Sequence, residues 1–368
     1  MKQQVPFLDL SLIDQELKSA LEQKFSEMLS KGIFSGGEEV DFLSNNLAKY
    51  LNTDNEVIPC SNGTDALEVA LRALGISEGD EVIVPALSWI STAEAVSMVR
   101  AIPVFIDTDT SGLMDLGLLD KVINPMTKAV IGVHLYGKML DMEKLVAWGK
   151  LNAVKVIEDN AQGFGAHQGG KSAGCWGDVG CFSFYPTKNL GALGEAGALI
   201  THDEQLAKKI RMLINHGQSF RDRHEMLGRN SRIDSIQAGF LNVKLAYFKK
   251  WQEKRKILAD IYLQNLTGVG DLILPETILG SEHNAHLFVV QSNFRDELKQ
   301  YLEDMGIGTA IHYPTIIPKM KPYLIQKEFH VSEIWSKRAL SLPLNPFLKK
   351  NEVWYIIEEI KKFYSKTS

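Results

Sequence analysis

Val154-Lys155-Val156-Ile157-Glu158-Asp159-Asn160-Ala161-Gln162 decides the reading of the fold. Its first half is a short β-branched run, and two carboxylates close it. Runs of the same kind recur at Glu81-Val82-Ile83-Val84-Pro85, Pro103-Val104-Phe105-Ile106-Asp107 and Lys128-Ala129-Val130-Ile131-Gly132-Val133-His134, and again around Cys181–Phe184 and Ala198–Ile200. Unbroken apolar runs of this length fit strands buried on both faces, the mark of a mostly parallel sheet. Amphipathic segments separate them. From Asp65 to Leu74, residues Leu67, Ala70, Leu71 and Leu74 share one face; from Glu204 to Ile214, Leu206, Ile210 and Leu213 do the same. The pattern predicts an α/β fold with crossover helices.

Farther along, the stretch Lys249–Lys256 reads as a helix with a solvated charged face. Beyond it, Ala285–Val290 and Gly308–Tyr313 flank a helical pattern near Asp296–Met305, which suggests a smaller α+β domain. The chain has 368 residues, and at about 150 residues per domain two domains are expected. The division is placed at 1–248, a large domain, and 249–368, a small C-terminal one.

Composition narrows the function. Hydrophobic residues make up 45% and charged residues 23%, enough apolar material for a sizeable core. The net charge of −5 argues against a nucleic-acid partner. No apolar run reaches the ~18 residues of a membrane span, and no signal-peptide core follows Met1-Lys2-Gln3-Gln4-Val5-Pro6. The three cysteines, Cys60, Cys175 and Cys181, contain no C-x-x-C. They fit free thiols in a reducing cytoplasm, and no metal site is expected.

Two motifs mislead. Gly165-Ala166-His167-Gln168-Gly169-Gly170-Lys171-Ser172 matches the P-loop pattern letter for letter. A P-loop leads directly into a helix. Here the continuation Ala173–Gly180 is broken by glycines and then becomes strand-like, so the match reads as chance in a surface loop. His202-Asp203-Glu204 resembles part of a zinc-deaminase motif but lacks the cysteine pair. It reads as a helix start.

Three segments carry chemistry together. Ser61-Asn62-Gly63-Thr64-Asp65 is a polar turn opening a helix, which suits either a bound phosphate or an ordinary N-cap. Glu158 and Asp159 stand at the carboxyl end of a buried strand, where α/β folds bind ligands; a helix-capping aspartate is the other reading. In Phe182-Ser183-Phe184-Tyr185-Pro186-Thr187-Lys188-Asn189-Leu190-Gly191, one lysine follows an apolar strand and enters a glycine-rich stretch. Desolvation lowers a lysine's pKa and suits Schiff-base chemistry, whereas a surface lysine would snorkel to water. A phosphate cradle, a carboxylate for a pyridinium nitrogen and a reactive amine are the three things pyridoxal phosphate needs.

With these segments the chain resembles the DegT/DnrJ/EryC1/StrS sugar aminotransferases, which have the aspartate-aminotransferase fold (fold type I). The resemblance runs nearly end to end. It includes Pro6–Leu10, Gly32–Val40, Asn62–Leu67, His134–Gly137, Glu158–Gln162, Ser183–Lys188, Asn230–Ala238 and Ser341–Leu344. It implies that Lys188 forms the Schiff base with pyridoxal 5'-phosphate and shuttles the proton. Asp159 would pair with the pyridine nitrogen and Gln162 would lie beside the 3-hydroxyl. Gly63, Thr64 and Ser183 would form the phosphate cradle, Asn62 would also bind the cofactor, and Trp89 would stack on the ring. Asn230 would reach the phosphate of a neighbouring subunit, which implies a homodimer with shared sites. His312 and Tyr313 match a segment near the sugar. The implied reaction moves an amino group from L-glutamate to a UDP- or dTDP-linked keto-sugar, with a lean toward a 3-keto sugar. Pro318-Lys319-Met320-Lys321-Pro322 and Asn345 depart from the family pattern near that sugar.

Overall fold

The computed structural model describes residues 3–276 and 278–367. The strands are β1 (Glu56–Cys60), β2 (Glu81–Pro85), β3 (Ile102–Ile106), β4 (Thr127–Val133), β5 (Lys155–Asp159), β6 (His167–Gln168), β7 (Lys171–Ser172), β8 (Val179–Ser183), β9 (Gly197–Thr201), β10 (Gln218–Phe220), β11 (Arg223–His224), β12 (Phe288–Gln291) and β13 (Ala339–Leu342). The helices are α1 (Gln15–Lys31), α2 (Glu38–Leu51), α3 (Gly63–Ala73), α4 (Ser91–Met98), α5 (Leu119–Val122), α6 (Met142–Asn152), α7 (Glu204–Leu213), α8 (Ser235–Leu266), α9 (Arg295–Asp304), α10 (His330–Arg338) and α11 (Lys350–Thr367).

Seven strands form the main sheet in the order β1-β9-β8-β5-β4-β2-β3. The pairs from β8 to β3 are parallel, and β9 runs antiparallel to both β1 and β8. The fold is therefore the expected α/β type with a mostly parallel sheet. Its β-branched runs are buried because helices cover both faces; all five residues of β9 are buried.

This topology puts the carboxyl ends of β1, β8, β5 and β2 on one edge. Cys60 of β1 and Ser183 of β8 both pair with Gly197. A Cβ on Gly197 would lie 2.6 Å from the Asn62 carbonyl, so glycine lets the two strand ends converge. Asp159 ends β5 and the Ser88–Trp89 turn follows β2. Ligand crevices in α/β folds lie along this edge.

Helices α1 and α2 pack on α8 through Leu17, Leu21, Leu43, Leu47 and Phe248. A separate C-terminal core gathers Tyr262 and Leu266 of α8 with Phe288, Leu302, Leu342 and Ile356. Helix α8 runs unbroken from one core into the other, through residues 248 and 249. Within it, Trp251 and Arg255 are buried, so the charged stretch is not wholly a solvated face.

The Gly308–Tyr313 run forms no strand. Only Ala310 makes a bridge, to Ser341, and the partner of β12 is β13. The backbone just before the run is taken by the N-terminal segment: Gly308 N–H donates to Val5 O at 2.8 Å, and Val5 N–H to Gly306 O at 2.9 Å. His312 and Tyr313 therefore sit in a loop.

Candidate active site

The cradle is built where α3 begins. Asn62 Oδ1 accepts the Asp65 N–H at 2.8 Å and caps the helix. Gly63 presses against Ser183: an added Cβ would stand 2.7 Å from Ser183 Cβ. Thr64 Oγ1 lies 2.8 Å from Ser91 Oγ at the start of α4. The start of α3 thus brings the Thr64, Ser91 and Ser183 side chains together near its first N–H groups, which suit an anion. Gly63→Ala is expected to push Ser183 out of place and weaken cofactor affinity about tenfold or more, since overpacking costs ~1–3 kcal/mol. Fluorescence titration of the apoprotein with the cofactor measures it.

At the end of β5, Asp159 is buried. Thr92 Oγ1 donates to its Oδ2 at 2.8 Å, and Ala161 N–H to its Oδ1 at 3.2 Å. Because the Thr92 proton is engaged, Ser88 Oγ, 2.8 Å away, donates to Thr92 Oγ1. Burial raises the Asp159 pKa, opposed by these hydrogen bonds and by the charge of Lys188. The carboxylate forms no ion pair among the described residues, so a ligand cation would supply its counter-charge.

Lys188 is half-buried in the loop after β8, its N–H donating to Tyr185 O at 2.8 Å. Burial pulls its amine down to about 8, and Asp159 partly offsets this. A neutral amine attacks carbonyls. Reconstitution of the apoprotein with the cofactor should therefore speed up about tenfold per pH unit below 8 and level off above it. Stopped-flow absorbance checks this; a flat profile from pH 6 to 9 would contradict the amine's role.

The His312–Tyr313 loop closes over the strand ends. Tyr313 OH accepts from Gln162 Nε2 at 3.0 Å, while Gln162 Oε1 accepts the Tyr136 N–H at 2.6 Å. The Tyr136 hydroxyl donates to His312 O, and His312 Nδ1 lies 2.8 Å from Ser341 Oγ. Burial, with the charge of Lys188, lowers His312 to about 4, so its ring is neutral at pH 7. The Trp89 ring stands 5.6 Å from that of Tyr313 and is 58% exposed. It is not a core residue; its face is open. Asp159, Gln162, Trp89 and Tyr313 thus meet at one place, with Lys188 close enough to feel Asp159. Asn230 is exposed, and its side chain makes no hydrogen bond to the described residues; the next residue, Ser231, accepts the Ser61 N–H at 2.8 Å through its carbonyl. Asn345 Oδ1 accepts the Phe347 and Leu348 N–H groups at 3.0 and 2.9 Å, a local turn.

The sequence profile of the DegT/DnrJ/EryC1/StrS aminotransferase family matches residues 15–361. The chain belongs to this family. It is 39% identical to the UDP-N-acetyl-3-dehydro-alpha-D-glucosamine 3-aminotransferase of Acidithiobacillus ferrooxidans, covering 97% of each chain. It is 38% identical to a pleiotropic regulatory protein of Geobacillus stearothermophilus, covering 98% of each. Its fold matches the crystal structure of S. venezuelae DesV in complex with a ketimine intermediate, with a TM-score of 0.95, 36% identity and 98% coverage of both chains.

As a DegT/DnrJ/EryC1/StrS aminotransferase, the protein is a pyridoxal-phosphate-dependent enzyme of fold type I. Its own residues fit that cofactor. The helix start at Gly63 leaves backbone N–H groups free for an anion, the buried Asp159 has no ion-pair partner among the described residues, and the Lys188 amine is desolvated.

The neighbouring Glu158 does different work. It is fully buried and accepts N–H bonds from Gly174, Trp176 and Gly177 at 2.8, 2.5 and 2.8 Å. Leu140 N–H donates to His134 Nδ1 at 3.2 Å, so His134 Nε2 carries the proton that it shares with Glu158 at 3.0 Å. The glycine-broken stretch after the P-loop match is this carboxylate's backbone cradle. The match itself is the β6–β7 hairpin, turning through Gly169 and Gly170 at φ +54° and +81°, with no helix after it.

Sequence reasoning missed Thr92, Tyr136, Asn189, Asn284 and His286. Asn189 Oδ1 accepts from His286 Nδ1 at 2.9 Å, and its Nδ2 donates to Asn284 O at 3.2 Å. Asn284 Nδ2 donates to Gln162 O at 2.6 Å. These contacts tie the residue after Lys188 to the segment bearing Gln162. Only Thr92 had a local signal, its i, i+4 spacing from Ser88.

Proposed function

We propose that this enzyme moves an amino group from L-glutamate to a UDP- or dTDP-linked keto-sugar, with a 3-keto sugar preferred. The observation that carries the reading is the meeting of Asp159, Gln162 and Trp89 with the His312–Tyr313 loop beside Lys188. The A. ferrooxidans relative, named for a 3-dehydro sugar, supports the preference. The product would serve amino-sugar synthesis for a surface polysaccharide or a glycosylated metabolite, in the cytoplasm. No helix among the described residues is long and apolar enough to cross a membrane.

Bound pyridoxal phosphate would supply an electron-accepting ring and carry the amino group between substrates. Asn62, Gly63, Thr64 and Ser183 would hold its phosphate. Asp159 would keep the ring nitrogen protonated, held in orientation by Thr92 and Ala161. Gln162 would sit beside the 3-hydroxyl and Trp89 against the ring face. Lys188 would take and return protons at the substrate carbon. His312, neutral, and Tyr313, which burial keeps protonated, would contact the sugar as uncharged partners. Residues 1–248 would thus carry the cofactor, and 249–368 would deliver the loop.

A homodimer with shared sites belongs to the same proposal. Phe220 and Leu227 are 73% and 96% exposed around the β10–β11 hairpin, just before the exposed Asn230. Mixing inactive Lys188→Ala and Asn230→Ala subunits should restore activity if each site uses both chains. Assays with paired 3-keto and 4-keto nucleotide sugars test the substrate; turnover of the 4-keto compound alone would overturn the preference. A regulator without activity would leave both untouched.

A further inference from the structure

Lys244 and Arg255 of α8 are 9% and 4% exposed. A buried cation normally faces a carboxylate. Arg295, the other buried lysine or arginine among the described residues, does: its Nε donates to Asp296 Oδ1 at 2.6 Å. Lys244 and Arg255 do not. Lys244 Nζ donates to Gly191 O at 2.7 Å, and its other two N–H groups meet no acceptor among the described residues. Arg255 directs Nη1 at three carbonyls, those of Ala285, His286 and Leu344, at 3.3, 3.2 and 2.8 Å. Its Nε is buried without a hydrogen bond, and no described residue accepts from its Nη2.

Both side chains line one cavity of about 240 Å³, and Lys188 lines it too. The cavity lies between α8, the 186–193 loop and the N-terminal segment around Leu8 and Leu10. No aspartate or glutamate among the described residues lines it. Lys244 and Arg255 thus bring two buried cations to a space that no acid borders, and an anion there would supply the counter-charge that they lack. Burial pulls Lys244 down to about 8 and lowers Arg255 as well, and a bound anion would reverse both. The cavity admits a small dicarboxylate and is smaller than the ~300–1,000 Å³ typical of sites for larger organic ligands.

We infer that this cavity is a carboxylate subsite, in which Lys244 and Arg255 recognise a carboxylate of the amino donor while Lys188 stands on its wall. The identity of the donor rests on the transamination proposed above; the anion site does not. The planar guanidinium fork suits a carboxylate better than a point charge would.

Glutarate, which has two carboxylates and no amine, is the probe. Calorimetric titration of the full-length holoenzyme should give binding that weakens at least tenfold in Lys244→Met and in Arg255→Met. Lys244→Arg, which keeps the cation, should stay within about threefold of wild type. The visible spectrum of the bound cofactor in each variant shows that the protein is folded and loaded. A merely structural role would lower kcat with both substrates and leave glutarate affinity unchanged. A second arm titrates UDP-glucuronate: if the Met variants weaken that ligand and spare glutarate, the carboxylate belongs to the sugar and the donor assignment falls. Glutarate binding unaffected by both Met variants, or absent from the wild type, overturns the inference. The two readings fail separately. Glutarate binding lost in the variants, in a protein inert toward glutamate, would keep the subsite and remove the transaminase donor. Glutamate turnover at unchanged KM in both Met variants would do the reverse.

Discussion

Lys188→Ala is expected to abolish multiple turnover. General acid–base catalysis alone contributes roughly 10²–10⁴-fold. Lys188 is also the amine that would hold the cofactor covalently, so its loss removes two effects in one change. Activity should fall below about one part in 10⁴, into assay background. The fold should survive, because the side chain is half-buried and the backbone turn to Tyr185 O is kept. A steady-state assay with glutamate and a keto-sugar measures the loss, and the purified variant should lack the yellow absorbance of lysine-bound cofactor. Sustained turnover would remove Lys188 from the chemistry.

Asp159→Asn should come second in size. Asparagine keeps the shape of the carboxylate and an acceptor for Thr92 or Ala161, but not the charge. Burial already penalises that charge, and an opposite charge on a ligand would relieve it further than Thr92, Ala161 and Lys188 do. A charge-assisted hydrogen bond contributes ~1.5–3 kcal/mol, so kcat should fall about 10- to 150-fold. Cofactor affinity should fall with it, read by equilibrium fluorescence. Asp159→Asn with wild-type kcat would mean that the ring nitrogen does not face this residue. Thr92→Val, which removes a donor and leaves the charge, should cost less than Asp159→Asn on the same assay.

The parts of this picture that were legible in the sequence are those with a local cause. Strands β2 to β5 announce themselves as β-branched runs, and α3 and α7 as apolar stripes. Lys188 and Asp159 stand out because a charge follows an apolar strand. What was hidden depends on partners far away in the chain. Glu158 and Asp159 look alike as neighbours, yet one faces a backbone cradle from residues 174–177 and the other faces the ligand space. Strand alternation sends them to opposite sides. The antiparallel β9 cannot be told from a parallel strand by composition. Arg255 read as solvated because its neighbours are charged; its burial comes from carbonyls at residues 285, 286 and 344. Gly308–Tyr313 read like the run before it, yet Val5 takes the Gly308 N–H and only Ala310 bridges to Ser341.

The site therefore rests on contacts of two kinds. Strand ends and helix starts place Gly63, Asp159, Ser183 and Lys188 within a single rigid layer. Hydrogen bonds from Gln162 and Tyr136 then fix the C-terminal loop above it. The visible spectrum of the purified protein, before and after addition of L-glutamate, tests the central claim most directly. A yellow band that fades on adding glutamate, as near-ultraviolet absorbance rises, is the predicted result: cofactor, lysine and amino donor in one cuvette. A protein that stays colourless after incubation with pyridoxal phosphate would contradict the roles of Lys188 and Asp159 together.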